Sequence, residues 1–183
     1  MTRIYTKAGD DGTTDAFLGG RISKGGELID AYGDVDEAVS VLGVARSGCA
    51  EPELAELLLR LQRDLFVVGA DMAANPGKRA RLRARVSLVA PEVVEELETL
   101  IDEQVAAHPL RPVFIVPGAT PTSAAIDHAR AVVRRAERHA VRAMELGHVV
   151  NAEAVRYLNR LSDLLFVLAR RAAADVEEPA SRA

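Results

Sequence analysis

The chain of 183 residues has no tryptophan, and only 4% of it is aromatic. Its core therefore has to be filled by Ala, Leu and Val, which suits closely packed helices. A single cysteine, Cys49, excludes an intrachain disulfide, and no Cys/His spacing matches a zinc site. No stretch approaches the ~20 apolar residues of a membrane span. The N-terminus also lacks the basic-then-apolar pattern of a signal peptide. A cytoplasmic protein is expected, with no membrane partner. The formal net charge of −4 gives no footprint for nucleic acid. Arginine is nevertheless dense at 79–85 and from 130 to 171, while acids dominate 92–103, an asymmetry that favours a local anionic ligand.

The length fits one domain. Residues 1–25 are rich in Gly and Thr and read as a loop. Apolar residues then recur at helical spacing over 27–45, beginning with Ile29, Tyr32, Val35 and Val39. A strongly apolar helix follows at 52–74, with Pro52 suited to its first turn. Residues 75–91 are basic and irregular and are expected to form a mobile loop. A helix over 91–107 opens with Pro91 and acids, as the helix dipole favours. The extended stretch "RPVFIVPGATPTS" at 111–123 leads to a helix over 123–146, capped by Thr122 or Ser123, and a last helix covers 152–174. The tail 176–183 is expected to be disordered.

The stretch "TKAGDDGTT" at 6–14 has the residue types of a phosphate cradle. Gly9 and Gly12 free the backbone to turn successive N–H groups toward one anion. Lys7 adds charge, Thr6, Thr13 and Thr14 add hydroxyls, and Asp10 or Asp11 is placed for a metal ion or its waters. The common G-x-x-x-x-G-K-[ST] loop is absent, and the same residue types equally suit a flexible polar arm. On the fourth helix, Arg130, Arg134 and Glu137 share one face, with Arg135 and Arg138 directed elsewhere. Solvated faces of this kind are common, and residue types alone favour that plainer reading. On the last helix, Arg156, Asn159, Arg160 and Asp163 share a face. Asn159 is a poor helix former that calls for a hydrogen-bond partner. Gly33, beside Asp34 and Asp36, costs its helix about 1 kcal/mol and suggests close approach of a backbone or ligand. Asp36 is a candidate partner for an arginine across the bundle. Phe114 packs in the core or walls a flat ligand. His108, His128, His139 and His148 show no metal-ligand spacing and are given no catalytic role.

Seven segments, "IYTKAGDDGTT", "GGRISK", "AYGDVDE", "FVVGADMA", "FIVPG", "HARAVVRRAER" and "YLNRLSDLLFVLAR", together resemble one family. It is the corrinoid adenosyltransferases of the propanediol-utilisation type, ATP:cob(I)alamin adenosyltransferases, and the segments span nearly the whole chain. The resemblance implies an all-α five-helix bundle with ferritin-like up-down packing and an N-terminal Gly/Thr-rich loop. It also implies a homotrimer with an active site at each subunit interface, where cob(I)alamin attacks C5′ of ATP to give adenosylcobalamin and triphosphate. By the same resemblance, Thr6, Lys7, Gly9, Asp10, Gly12, Thr13, Thr14 and Lys24 cradle ATP. Arg130, Arg134 and Glu137 contact ATP or its Mg²⁺, with Glu137 the metal candidate, and Asn159 and Arg160 assist. Asp36 pairs with Arg130, and Phe114 covers the lower corrin face. Implied partners are a flavin-type reductase and an adenosylcobalamin-dependent acceptor enzyme. The sequence departs from the family pattern at Ala38, Val39, Ala119 and Asp127. The alternatives are an ATP- or cobalamin-binding sensor or delivery module without efficient catalysis, and a purely structural bundle.

Overall fold

The computed structural model describes residues 4–181. It contains five α-helices: α1 (Glu27–Ser47), α2 (Pro52–Met72), α3 (Pro91–Ala107), α4 (Pro121–Glu145) and α5 (Ala152–Ala173). Helix α1 lies between α2 and α4, α4 packs on α5, and α5 carries α3. Alanine makes this close packing possible. Ala31, Ala38 and Ala45 of α1 face a stripe on α4 that includes Ala129, Val132, Val133, Ala136, Ala140 and Ala143, all buried. From α5, Tyr157, Leu158, Leu161, Leu164, Leu165 and Leu168 fill the centre, against Leu54, Leu58, Leu61 and Leu65 of α2. Each fully buried leucine contributes roughly 1.5–3 kcal/mol relative to exposure.

Helix boundaries follow local chemistry. Pro52, Pro91 and Pro121 each occupy a first-turn position, where the missing N–H costs nothing. Helix α4 begins two residues before the expected start. Its cap is Thr120 rather than Thr122 or Ser123, because Thr120 and Ser123 form a reciprocal capping box.

Three segments depart from expectation. The N-terminal loop contains a short antiparallel hairpin, β1 (Thr13–Asp15) with β2 (Arg21–Ser23), pairing Thr14 with Ile22. Strands this short carry no readable alternation. Segment 75–91, expected to be an irregular mobile loop, holds a 3₁₀ helix at Pro76–Arg81, with Asn75 accepting from the Gly77 N–H at 2.9 Å. The tail, expected to be disordered, instead pairs β4 (Glu178–Pro179) with β3 (Ile115–Val116). Glu177 meets Arg170 at 2.6 Å, giving the tail an anchor that its own polar composition does not announce. The departures from the family pattern are absorbed locally. Ala38 and Val39 join the core, Ala119 is half-buried, and the buried Asp127 carboxylate pairs with Arg170 at 2.5 Å.

Candidate functional site

Arg21 organises the N-terminal loop from the second strand of the hairpin. Its guanidinium donates to the Ala8 carbonyl and to Thr13 Oγ1, lies 3.4 Å from Asp11 and donates to Asp15 at 3.2 Å. Asp11 accepts from the Thr13 hydroxyl at 2.7 Å and the Thr13 N–H at 2.9 Å. These two bonds, the hydroxyl first, hold its carboxyl below the usual range, aided by the Arg21 charge. The Lys24 Nζ donates to the Gly9 carbonyl at 2.8 Å. A Cβ at position 9 would lie 3.0 Å from both that Nζ and the Thr13 carbonyl, so glycine relieves crowding there. Gly12 adopts φ +82°, and Lys7 also lies in the left-handed region at +61°. The Thr6 hydroxyl accepts from the Ala8 N–H at 3.3 Å. Arg21 and Lys24, both exposed, thus brace loop 6–14 through its carbonyls and Thr13. Asp10, Lys7 and Thr14 make no side-chain hydrogen bond or ion pair among the described residues.

A second group forms where α4 meets α5. Arg134, Glu137, Arg138, Arg142 and Asn159, with Val141 and Glu145, line an open recess of about 310 Å³. Asn159 Nδ2 donates to Glu137 Oε1 at 3.0 Å, which accounts for an asparagine in mid-helix. Its own Oδ1 accepts from Arg160 at 2.6 Å, and Arg160 is anchored to Glu98 of α3 at 2.8 Å. Three arginines against two carboxylates leave the recess cationic, a setting for a phosphate chain. Arg142 also borders a smaller recess lined by Gly25 at the foot of the hairpin.

The structure therefore unites Arg134, Glu137 and Asn159, with Arg160 behind them. It also adds Arg138, expected to point elsewhere, and Arg142. Arg130 stands apart: its guanidinium lies 5.8 Å from the centre of the Phe166 ring and its Nε 4.0 Å from Asp127. Asp36 does not pair with Arg130 within the chain. It borders an apolar groove of about 440 Å³ between α1 and α2, lined also by Tyr32, Gly33 and Phe66. The α1 carboxylates that do reach α4 are Asp34 and Glu37, both bound by Arg135, because one helix face cannot serve both neighbours. Gly33 meets no approaching backbone in its own chain, and an added Cβ would project into open space. Phe114 is not in the core but 89% exposed beside β3. Arg21, like Arg142, has a place in the site that the sequence does not announce. It stands in "GGRISK", but its role depends on strand register, which three-residue strands do not reveal.

A helical bundle with a Gly-rich loop braced by two cations, and a separate recess lined by three arginines, carries the charge that a phosphate-bearing ligand would need. Residues 4–172 match the Cobalamin adenosyltransferase family model, and the chain belongs to that family. It is 43% identical over 171 residues to a corrinoid adenosyltransferase of Citrobacter freundii, covering 93% of this chain and 94% of the relative. It is 40% identical over 181 residues to one from Mycobacterium tuberculosis, covering 96% and 91%. A solved structure of a variant PduO-type ATP:corrinoid adenosyltransferase from Lactobacillus reuteri, complexed with cobalamin and ATP, superposes with a TM-score of 0.83. That pair is 33% identical and covers 93% of this chain and 91% of the other. Among the described residues, no helix is long and apolar enough to cross a membrane.

Proposed function

We infer that the chain transfers the 5′-deoxyadenosyl group of ATP to cob(I)alamin, yielding adenosylcobalamin and triphosphate. The observation that carries this reading is the junction of Arg134, Glu137 and Asn159 on the α4–α5 face, in a chain of this family. The cobalt supplies the electron pair that forms the Co–C5′ bond. The C5′–O bond breaks toward the triphosphate, which carries away its electrons. No side-chain nucleophile is required, so the protein's work is orientation and stabilisation of the departing charge.

In this reading the loop 6–14 with Lys24 holds the triphosphate through Thr6, Lys7, Gly9, Asp10, Gly12, Thr13 and Thr14. Arg134 of a neighbouring subunit faces the phosphates, and Asn159 and Arg160 orient Glu137. Among the described residues no cluster of three or more His, Cys, Asp or Glu is built to hold a metal. Glu137 alone fits a Mg²⁺ that arrives on ATP, since such an ion keeps waters and phosphate oxygens as its other ligands. Asp36 of one subunit pairs with Arg130 of the next, in a homotrimer whose sites lie between subunits. Two features support this assembly: the apolar α1–α2 groove and the Arg130 side chain, which is about a third exposed and within reach of a neighbour. Phe114, held away from its own core, supplies an apolar wall for the lower corrin face. The cytoplasm, a flavin-type reductase and an adenosylcobalamin-dependent acceptor enzyme complete the reading, because cob(I)alamin requires a reducing supply and the product a consumer.

The test is anaerobic incubation of the full chain with MgATP and chemically reduced cobalamin. The expected result is the absorption spectrum of adenosylcobalamin with stoichiometric triphosphate. Binding of both ligands without turnover would instead establish the sensor or delivery module.

A further inference from the structure

The hairpin turn after β1 has an unusual backbone. Leu18, Gly19 and Gly20 all have left-handed φ, at +68°, +88° and +105°. For Leu18 this costs about 1–2 kcal/mol, so the turn needs outside support. Support comes from the segment just past α2. The Phe17 N–H donates to the Ala73 carbonyl at 2.8 Å, and the Asn75 N–H returns to the Phe17 carbonyl at 2.9 Å. Asn75 Nδ2 then donates to the Gly19 carbonyl at 2.6 Å, and Lys78 Nζ to the Leu18 carbonyl at 2.8 Å. A Cβ at position 20 would come within 2.8 Å of Asn75 Nδ2, so the turn and the clamp are mutually fitted.

The clamp is itself fastened to the bundle. Asp71, 0% exposed, receives the Arg79 guanidinium on one carboxylate oxygen. Its other oxygen accepts from the Val89 N–H at 2.8 Å and from Asn151 Nδ2 at 2.7 Å. Arg79 also donates to the Asp71 carbonyl at 2.9 Å. One buried carboxylate thus ties the end of α2, the 3₁₀ helix, the loop before α3 and the cap of α5.

We propose that Asn75 and Lys78 are positioning residues which hold the hairpin turn, and through its register the ATP-binding loop, with Asp71 anchoring them to the bundle. The proposal rests on the reading of loop 6–14 as the ATP cradle. Because β1 and β2 are paired, a displaced turn carries Thr13 and Lys24 with it. The clamp therefore acts on ATP binding more than on the chemical step.

The experiment compares Asn75→Ser and Lys78→Met in the full chain, with Lys7→Ala as a direct loop variant. Serine retains an acceptor to cap Gly77 but is too short to reach Gly19. Loss of one clamp bond should raise KM for ATP about five- to tenfold, with kcat at saturating ATP and KM for cob(I)alamin within about twofold. Amide exchange over 16–24 should accelerate in both clamp variants. Faster exchange with an unchanged KM for ATP would make the clamp purely structural and overturn the proposal, as would unchanged exchange. If Lys7→Ala leaves KM for ATP unchanged, the cradle reading itself fails, and the positioning role fails with it. A raised KM in Lys7→Ala alone refutes only the clamp.

Discussion

Asp64 shows how burial sets the behaviour of a single carboxylate. It sits on α2 beside a cleft lined by Arg60, Arg85, Glu96 and Tyr157. Burial raises its pKa, opposed by the Arg60 charge and by the Tyr157 hydroxyl, which donates to it at 3.3 Å. The Tyr157 phenol, fully buried and facing the same carboxylate, is pushed well above its ordinary value. A carboxyl whose folded pKa is raised destabilises the fold above that pKa, and the penalty vanishes below its unfolded value. Asp64→Asn keeps an acceptor for Tyr157 and removes the charge. Its melting temperature should exceed that of the parent at pH 7, and the difference should shrink as pH falls to about 4, near the ordinary Asp pKa. Thermal melts across that range check it, and a difference constant with pH would refute the assignment. Glu96 shifts the other way: the hydrogen bond from Arg85 lowers its pKa despite some desolvation. Its contribution is present at neutral pH and lost as pH falls through the lowered value.

At the scale of elements, the helices stop and start where capping chemistry dictates. The α4 box joins Thr120 Oγ1 to the Ser123 N–H at 3.1 Å and the Thr120 N–H to Ser123 Oγ at 2.9 Å. Thr120 Oγ1 also donates to the Ala172 carbonyl near the end of α5 at 3.1 Å, so one hydroxyl secures two helices. Thr120→Ala should cost about 1–2 kcal/mol, measured by urea denaturation with an unchanged m-value. A loss under about 0.3 kcal/mol would show that the box is dispensable. The five helices were readable because their buried faces repeat at 3.6 residues over many turns. The hairpin and the β3–β4 pair were not, since a strand of two or three residues has no period. For β3, moreover, the partner strand lies more than 60 residues away, since Val116 pairs with Glu178.

For the whole molecule, the α1–α2 side carries an exposed apolar patch. Phe66 is 65% exposed beside the groove that holds Tyr32 and Asp36. An apolar groove of this kind is expected at a subunit contact. Phe66→Glu would introduce a charge there without disturbing the core. The proposed homotrimer predicts that the mass of this variant in solution falls from three chains toward one, with activity lost in parallel. A monomeric parent would remove the basis for this prediction, and a trimeric, active variant would place the interface elsewhere.

The amino-acid sequence by itself determined the helical class, the five helices and their buried stripes, and the Gly- and Thr-rich make-up of the N-terminal loop. Those properties are local: periodicity, prolines at first turns, and glycines that free a backbone. It also placed Arg134 and Glu137 one turn apart, since helical geometry brings them together wherever the helix lies. What only the tertiary structure decided was partnership. Arg138 and Arg142 joined the recess, Arg130 turned to Asp127 and Phe166, and Asp36 was left facing the groove on the other side of α1. A charged side chain's partner depends on which helix packs beside it and at what rotation, and the spacing of residues along one helix does not encode that.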